Sequence, residues 1–272
     1  MMPYQKNLLS AIGDASAFGL GKFFLIGDKK RIVETCYVNS IDFRRLEILN
    51  FPLDMEAVEY AKRMVEEKRF DFYVFGDVPE VYQLNVFGMR NPLAIGSIDI
   101  IELPGMRSPV FISNRNRHLY VDFEEKMEAI MQARLLLKTL GAKRINVVML
   151  TNGNSKNEVL DGNIAKMLLQ EKKLSDVEIL GIQDLSGFFT ITTKFNIFTS
   201  GANLLIFKNY EISRVFLSTL SAFTSAKIAT FSVFNKHLAV DAKLLNSQEN
   251  ILFTLLTLER LHFQKNATAV RT

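Results

Sequence analysis

Residues 145–160 have the sequence INVVMLTNGNSKNEVL, in which an apolar run leads through a polar turn into a helix start. The run is typical of a buried strand, and Ser155 with Glu158 makes a capping signal for the helix. In open α/β sheets, ligands bind beyond the carboxyl ends of strands, where helix N-termini direct N–H groups outward. We therefore predict a ligand-binding turn formed by Thr151, Asn152, Gly153, Asn154 and Ser155.

The same turn has an interpretation without a ligand. Any strand-to-helix connection needs a turn and a cap, and Gly, Asn and Ser supply both. The phosphate-binding patterns GxGxxG and GxxxxGK(S/T) are absent from the chain. Asp184 follows the next predicted strand, so it would lie at the same edge if the two strands were neighbours, or it would only form an Asx turn.

Strands and helices alternate from Asp122 to the end of the chain. Asp122 with Glu125 makes a capping signal for a helix that Gly141 ends. Further strands are predicted at 177–182, 189–198, 204–207 and 228–234, and further helices at 155–168, 211–226 and 246–263. This alternation predicts a partly parallel sheet with helices packed on it.

The first part of the chain is predicted to be richer in strands. Residues 21–26 and 31–38 are predicted as strands that flank a hairpin turn, GDKK at 27–30. Further extended segments are predicted at 43–51, 72–75, 81–87 and 95–103, with one helix that opens near Asp54. The predicted fold class is α/β, with a strand-rich N-terminal lobe at 1–121 and an α/β layered domain at 122–272, or one continuous domain.

Composition places the chain among folded proteins of a reducing compartment. Of the 272 residues, 48% are hydrophobic and 23% are charged. Cys36 is the single cysteine, so no intrachain disulfide can form, and its predicted strand indicates a packed thiol. No uninterrupted apolar run reaches the length of a membrane span. We predict a cytoplasmic protein.

The residues that usually carry catalysis or metal binding are dispersed. His118, His237 and His262 lie far apart in the sequence, without an HxxxH or CxxC spacing. Asp99 and Glu102 form a carboxylate set, but the ExK triplets that a nuclease would need fall in predicted helices. We therefore predict no metal and no cofactor.

Two compact basic clusters occupy predicted turns, at 29–31 and 114–118. Exposed charge is expected at such turns, and sequence-independent nucleic-acid binding normally needs a concentrated basic stripe. Since the remaining basic residues are scattered, nucleic acid is an unfavoured partner, although the two clusters would form an anion contact if they lay close together.

The last predicted helix is more apolar than a surface helix. Apolar residues surround it, and we expect a partner chain to cover the following set: Ile251, Leu252, Leu255, Leu258 and Phe263. Our leading hypothesis is therefore a non-enzymatic subunit of a larger or homo-oligomeric assembly. The alternative is an α/β enzyme or sensor that binds a small anionic or nucleotide-like ligand at 151–155.

Overall fold

The computed structural model describes residues 1–106, 108–118, 121–151, 163–165, 167, 174–235, 237–245 and 247–269, with side chains through His262. Its helices are α1 Lys6–Ala17, α2 Lys29–Val38, α3 Asp54–Glu66, α4 Glu80–Val86, α5 Phe123–Thr139, α6 Leu185–Phe189, α7 Tyr210–Phe223 and α8 Gln248–Ala269. Its strands are β1 Phe24–Gly27, β2 Glu47–Asn50, β3 Tyr73–Phe75, β4 Gly96–Glu102, β5 Val110–Asn114, β6 Ile145–Thr151, β7 Val177–Asp184, β8 Leu204–Ile206, β9 Lys227–Phe234 and β10 His237–Asp241. The predicted α/β fold class is confirmed.

The chain divides into two compact units. The first unit comprises Met1–Ile95 with Lys227–Thr272, and the second comprises Gly96–Ala226. The boundary predicted at residue 121 falls inside the second unit, so the change of sequence pattern there does not coincide with the division of the folded chain.

In the first unit, β1 pairs parallel with β2, while β3 pairs parallel with β10 and β10 antiparallel with β9. A cluster of aromatic side chains fills its core, and the ring of Phe87 stacks on that of Phe234 at 4.6 Å between centroids. Phe75 contacts both rings edge-on. Burying rings of this size supplies a large share of the hydrophobic stabilisation of such a unit.

Two segments of the first unit that were predicted as strands are helices. Residues 29–38 form α2, whose N-cap Asp28 accepts a hydrogen bond from the Lys30 N–H at 2.8 Å. Residues 80–86 form α4, which begins after Pro79. Cys36 is fully buried as predicted, although on a helix, and burial raises the pKa of its thiol.

The second unit is built on five strands in the order β4-β5-β8-β6-β7. β4 and β5 are antiparallel, whereas β5, β8, β6 and β7 are mutually parallel. The predicted capping box of α5 is present, because the Asp122 carboxylate accepts from the Glu125 N–H and the Glu125 carboxylate accepts from the Asp122 N–H. Parallel strands covered by helices are buried on both faces, which explains the continuous apolar run in β6.

The segment 189–198 does not form the predicted strand. After α6 it folds into turns around Asn196, whose side-chain amide donates to the Ile191 and Thr193 carbonyls. The Asn196 side-chain oxygen accepts from the N–H groups of Phe198 and Thr199. One buried side chain thus takes up four main-chain groups that a strand ladder would otherwise use.

The apolar excess of α8 is covered by its own unit. Ile251, Leu255 and Leu258 are buried, and the helix packs against α1 and β9. Leu252 is half-buried, and the side chain of Phe263 lies outside the described part. The expectation of an exposed docking face on this helix was wrong for the three buried residues, since a side chain sealed inside its own unit cannot contact a partner. Of the helices described, none is both long enough and apolar enough to cross a membrane.

An ion-pair cluster in the second unit links α5 to the loop before β7. Arg134 donates two hydrogen bonds to the Asp176 carboxylate, at 3.0 and 3.1 Å, and the Lys138 ammonium lies 3.0 Å from it. The hydrogen bonds from Arg134, followed by those from Lys138, lower the pKa of Asp176 below its usual 3.8. The carboxylate is therefore better stabilised in the folded chain than in the unfolded one.

Replacing Asp176 with asparagine is expected to lower the free energy of unfolding by about 1 kcal/mol at neutral pH. A lowered folded-state pKa contributes stability above the unfolded pKa and loses it as pH falls through the folded value. The difference in free energy of unfolding between wild type and D176N should therefore be constant near neutral pH. It should shrink towards zero below about pH 3.8. Urea unfolding from pH 7 downward measures it, and a gap that persists in acid would contradict the assignment.

Candidate active site

The four parallel strands of the second unit end at one edge of the sheet. Their last residues are Asn114 in β5, Ile206 in β8, Thr151 in β6 and Asp184 in β7. This is the edge at which open α/β sheets bind ligands, because the loops and helix N-termini that follow the strands converge there. We refer to it as the carboxyl edge.

The structure brings together the two predicted site residues that it describes. Thr151 pairs with Asp184 across β6 and β7, and its buried hydroxyl donates to the Gln183 carbonyl at 3.4 Å. The Asp184 carboxylate caps α6 by accepting from the N–H groups of Ser186 and Gly187 at 3.1 and 3.3 Å. Asn152, Gly153, Asn154 and Ser155 lie outside the described residues. The ligand-binding role of the whole set stays a prediction.

A buried polar network at the end of β5 was not predicted. The Asn114 amide donates to the hydroxyls of Ser97 and Ser213 at 3.2 and 3.1 Å, and all three side chains are buried. The Ser213 hydroxyl donates to the Tyr210 carbonyl at 2.7 Å. The network therefore fixes the first turn of α7 against the end of β5, since each buried polar group has a partner on another element.

A buried ion pair continues this network along β4. The Arg214 guanidinium donates to the Asp99 carboxylate at 2.9 Å, and Asp99 is fully buried. Asp99 and Ser97 lie two positions apart, so both face α7. Glu102 is three positions from Asp99 and is exposed, so the two carboxylates do not share a site.

The loop after β5 directs its basic residues to different helices. Arg115 turns to α5, where it donates to Glu128 at 2.7 Å. The Arg117 guanidinium carbon lies 5.3 Å from the ring centroid of Tyr210, at the N-terminus of α7. His118 lies 3.9 Å from Glu125, which also accepts a hydrogen bond from Asn116. A planar guanidinium beside a helix N-terminus is a suitable binder of a phosphate or carboxylate.

The second basic cluster begins α2 of the first unit rather than a hairpin turn. The Arg31 guanidinium carbon lies 3.7 Å from the Tyr4 ring centroid, and Lys29 donates its N–H to the Asn50 side chain at 3.0 Å. The two clusters belong to different units.

The three histidines have separate surroundings. His237 stacks on Phe87 at 5.2 Å, and burial lowers the pKa of its imidazole, while His262 lies 3.5 Å from Asp71. Within the described ranges, no group of three histidine, cysteine or carboxylate side chains is arranged to hold a metal ion. The prediction that the protein uses no metal stays a prediction.

A distant curated relative matches part of the chain. No protein-family model matches the chain. It is 21% identical to the phosphate acetyltransferase of Rhizobium meliloti over 154 aligned residues. These residues cover 55% of this chain and 49% of that protein. The chain thus spans about half the length of the curated relative that it matches.

Solved structures resemble the chain over nearly its whole length. The branched-chain phosphotransacylase of Enterococcus faecalis V583 aligns with a TM-score of 0.72 at 13% identity, over 95% of this chain and 96% of that one. The EutD phosphotransacetylase of Staphylococcus aureus gives 0.67 at 12% identity, over 95% and 92%. The chain has a phosphotransacylase-like fold. The 4-hydroxythreonine-4-phosphate dehydrogenase of Klebsiella pneumoniae gives 0.55 at 8% identity, over 93% and 95%.

These findings overturn the leading hypothesis from the sequence. A non-enzymatic assembly subunit was inferred from missing catalytic motifs and an apolar last helix. The curated relative and two of the similar solved structures are named as phosphotransacylases or phosphate acetyltransferases, so the alternative of an α/β enzyme fits the comparisons better. The apolar helix, in turn, is largely accounted for by packing within the first unit.

Proposed function

We propose that this protein is an enzyme that transfers an acyl group to or from phosphate, with the phosphate held at the carboxyl edge of the second unit. The observation that carries the proposal is the resemblance to phosphotransacylases in both sequence and fold. The dehydrogenase of the same fold is also named for a phosphate-bearing compound, which supports a phosphate ligand for this chain. A cytoplasmic location is proposed with it, because such chemistry and a single reduced thiol suit that compartment.

Arg117 is the proposed phosphate ligand. Its guanidinium combines a fixed positive charge with paired N–H donors, and it lies beside the first turn of α7. Asn114, Ser97 and Ser213 are proposed as positioning residues, since their hydrogen bonds hold that turn in place. A held phosphate meets an acyl donor in one orientation, and such positioning is a large part of what enzymes contribute to a two-substrate reaction.

The proposed step is a substitution at the acyl carbon. A phosphate oxygen attacks the carbonyl of a thioester, a bond forms between that oxygen and the acyl carbon, and the carbon–sulfur bond breaks. The leaving thiolate then takes up a proton from solvent, which gives an acyl phosphate and a free thiol. Coenzyme A is the usual soluble carrier of thioesters, so its acetyl and branched-chain esters are suitable test donors.

The test is phosphate-dependent thiol release by the purified protein. Free thiol is followed with a chromogenic reagent, and acyl phosphate is trapped by hydroxylamine as a coloured hydroxamate. Both products should appear together and only when phosphate is added. If neither acetyl nor branched-chain donors yield thiol above a protein-free control, the proposal is wrong.

Replacing Arg117 with glutamine is expected to raise the KM for phosphate at least tenfold, because a charge-assisted contact is lost. The neighbouring Arg115→Gln variant is the matched control, since Arg115 is paired with Glu128 on the surface. That control should keep its KM within about twofold. If the two variants had the same KM for phosphate, Arg117 would not be a phosphate ligand.

A further inference from the structure

The loop after β5 crosses the carboxyl edge between two helices on opposite faces of the sheet. The Ser113 hydroxyl donates to the Ala129 carbonyl of α5 at 2.9 Å, whereas the next residue, Asn114, donates to Ser213 of α7. Consecutive residues of a strand point to opposite faces, so α5 and α7 cover opposite faces of β5. The loop, residues 115–118, therefore runs from one face of the sheet to the other.

Two neighbouring residues of this loop reach the two helices. The Arg117 guanidinium carbon lies 5.3 Å from the ring centroid of Tyr210, the first residue of α7. The Nδ1 atom of His118 lies 3.9 Å from the carboxylate of Glu125, in the first turn of α5. Consecutive residues have α-carbons about 3.8 Å apart. The proposed phosphate ligand and an imidazole thus extend from one point of the carboxyl edge.

Asn116 and Glu125 fix the position of His118. Asn116 is buried, its side-chain amide donates to the Glu125 carboxylate, and its side-chain oxygen accepts from the His118 N–H at 3.1 Å. The Glu125 carboxylate is held in turn by the Asp122 N–H at 3.1 Å, through the capping box of α5. An imidazole whose Nδ1 faces a fixed carboxylate is the arrangement in which Nε2 carries protons during catalysis. The His118 side chain is 41% exposed, so protons can exchange with solvent.

We propose that His118 is the acid–base residue of the acyl transfer, an inference that rests on the proposed function. When acyl phosphate is consumed, Nε2 removes the proton of the attacking thiol and later releases it to solvent. The sulfur forms a bond to the acyl carbon, and the bond between that carbon and the phosphate oxygen breaks. In the opposite direction, the imidazolium gives its proton to the leaving thiolate and recovers one from solvent.

The place of His118 suits this step because of where the sulfur lies during the reaction. In the tetrahedral intermediate, the sulfur and a phosphate oxygen are bonded to the same acyl carbon, so a residue beside the phosphate is also beside the sulfur. A free thiol has a pKa of about 8.5, so it is mostly protonated at neutral pH, whereas the thiolate is the nucleophile. A positioned acid–base group contributes about 10²- to 10⁴-fold to such a proton transfer.

The test uses the full chain with coenzyme A and acetyl phosphate or a branched-chain acyl phosphate, and it follows thioester formation. His118→Gln should lower kcat at least tenfold at pH 7 and leave the KM for acyl phosphate within about twofold. The loss should fall below about threefold at about pH 9.5, where a thiol ionises without a base. An equal loss at both pH values would mean a structural role only and would overturn the proposal.

The other titratable groups of this region are the carboxylates of Asp122 and Glu125 on α5, the Arg117 guanidinium and the Tyr210 hydroxyl on α7. They are common to wild type and to His118→Gln, so their titration affects both rates and largely cancels in the ratio of the two. The pH dependence of that ratio therefore reports on His118.

The matched control is His262→Gln in the first unit. The His262 imidazole is 39% exposed and lies 3.5 Å from the Asp71 carboxylate, so its surroundings resemble those of His118 away from the carboxyl edge. This variant should keep the kcat of wild type at both pH values. A loss like that of His118→Gln would show that the effect does not belong to the carboxyl edge and would overturn the proposal.

Glu125→Gln tests the carboxylate that faces the ring. Glutamine also completes a capping box, so the start of α5 is kept while the charge beside His118 is lost. Its kcat should fall at least about threefold at pH 7. If His118→Gln does not fold, this variant decides, and an unchanged kcat overturns the proposal. A wild-type protein without activity in either direction would refute the proposed function itself, whereas an active wild type with an equally active His118→Gln would refute only the role of His118.

Discussion

Replacing Gly76 with alanine is expected to destabilise the first unit by about 3 kcal/mol, because a β-carbon has no room there. An added Cβ would lie far inside van der Waals contact with the Met2 carbonyl oxygen, 2.9 Å from the Pro3 Cα and 3.0 Å from a Leu8 methyl. The first two neighbours are main-chain atoms that cannot rotate away. Chemical unfolding followed by circular dichroism measures the loss.

A second glycine of the same unit provides the control. At Gly13 an added Cβ would make only ordinary contacts, at 3.6 Å to Ile41 and 3.7 Å to Asp42. Gly13 lies within α1, where alanine is favoured over glycine by about 0.5–1 kcal/mol. Gly13→Ala should therefore be neutral or stabilising. A similar loss in both variants would mean that glycine is not required at Gly76 for steric reasons.

Several elements of the second half of the fold were predictable because their signals are local. The capping pair Asp122 and Glu125 and the apolar run at 145–150 each lie within a few residues of the element that they define. Parallel strands buried on both faces leave a continuous apolar run, which few other structures produce. The sequence placed Asp184 beside Thr151 only on the condition that their two strands were neighbours, and the structure shows that these strands do pair.

The first part was predicted less well because residues 27–30 were interpreted as a hairpin turn, whereas Asp28 is the N-cap of α2. In residues 29–38, Ile32 and Cys36 are buried one helical turn apart, while Tyr37 and Val38 are exposed. That spacing is helical, and Asp28 directly before it is a preferred N-cap residue. The information needed to predict α2 was therefore present in the sequence.

The fold of residues 189–198 could not be predicted in this way. Strict alternation of apolar and polar residues predicted a strand, whereas the observed turns depend on the hydrogen bonds that Asn196 makes with surrounding main-chain groups.

The buried network at the carboxyl edge could not be predicted from one sequence. Asn114 and Ser213 are 99 positions apart, and Asp99 and Arg214 are 115 apart. Their proximity depends on the order of strands and on the side of the sheet on which α7 packs. The alternation of β4 does indicate that Ser97 and Asp99 share a face, but not which residue meets them there.

Removing the guanidinium of Arg214 is expected to destabilise the second unit by about 3 kcal/mol, because it takes an ion-pair partner away from the fully buried Asp99 carboxylate. Arg214→Met keeps much of the side-chain volume, so the loss reports on charge rather than on packing. Since Ser213 is the adjacent residue of α7, the variant should also disturb the turn that Asn114 holds and lower the proposed transfer activity. Thermal unfolding and the thiol-release assay measure the two effects.

A double variant separates the ion pair from general damage to this region. Asp99→Leu combined with Arg214→Met replaces both charges by apolar groups, and buried pairs replaced in this way often lose little stability. The double variant should therefore be more stable than Arg214→Met alone.

A surface ion pair provides a second control. The Arg115 and Glu128 side chains are 37% and 60% exposed, so Arg115→Met should lower the free energy of unfolding by less than about 0.5 kcal/mol. If Arg214→Met and Arg115→Met unfold alike, the buried pair does not stabilise the carboxyl edge.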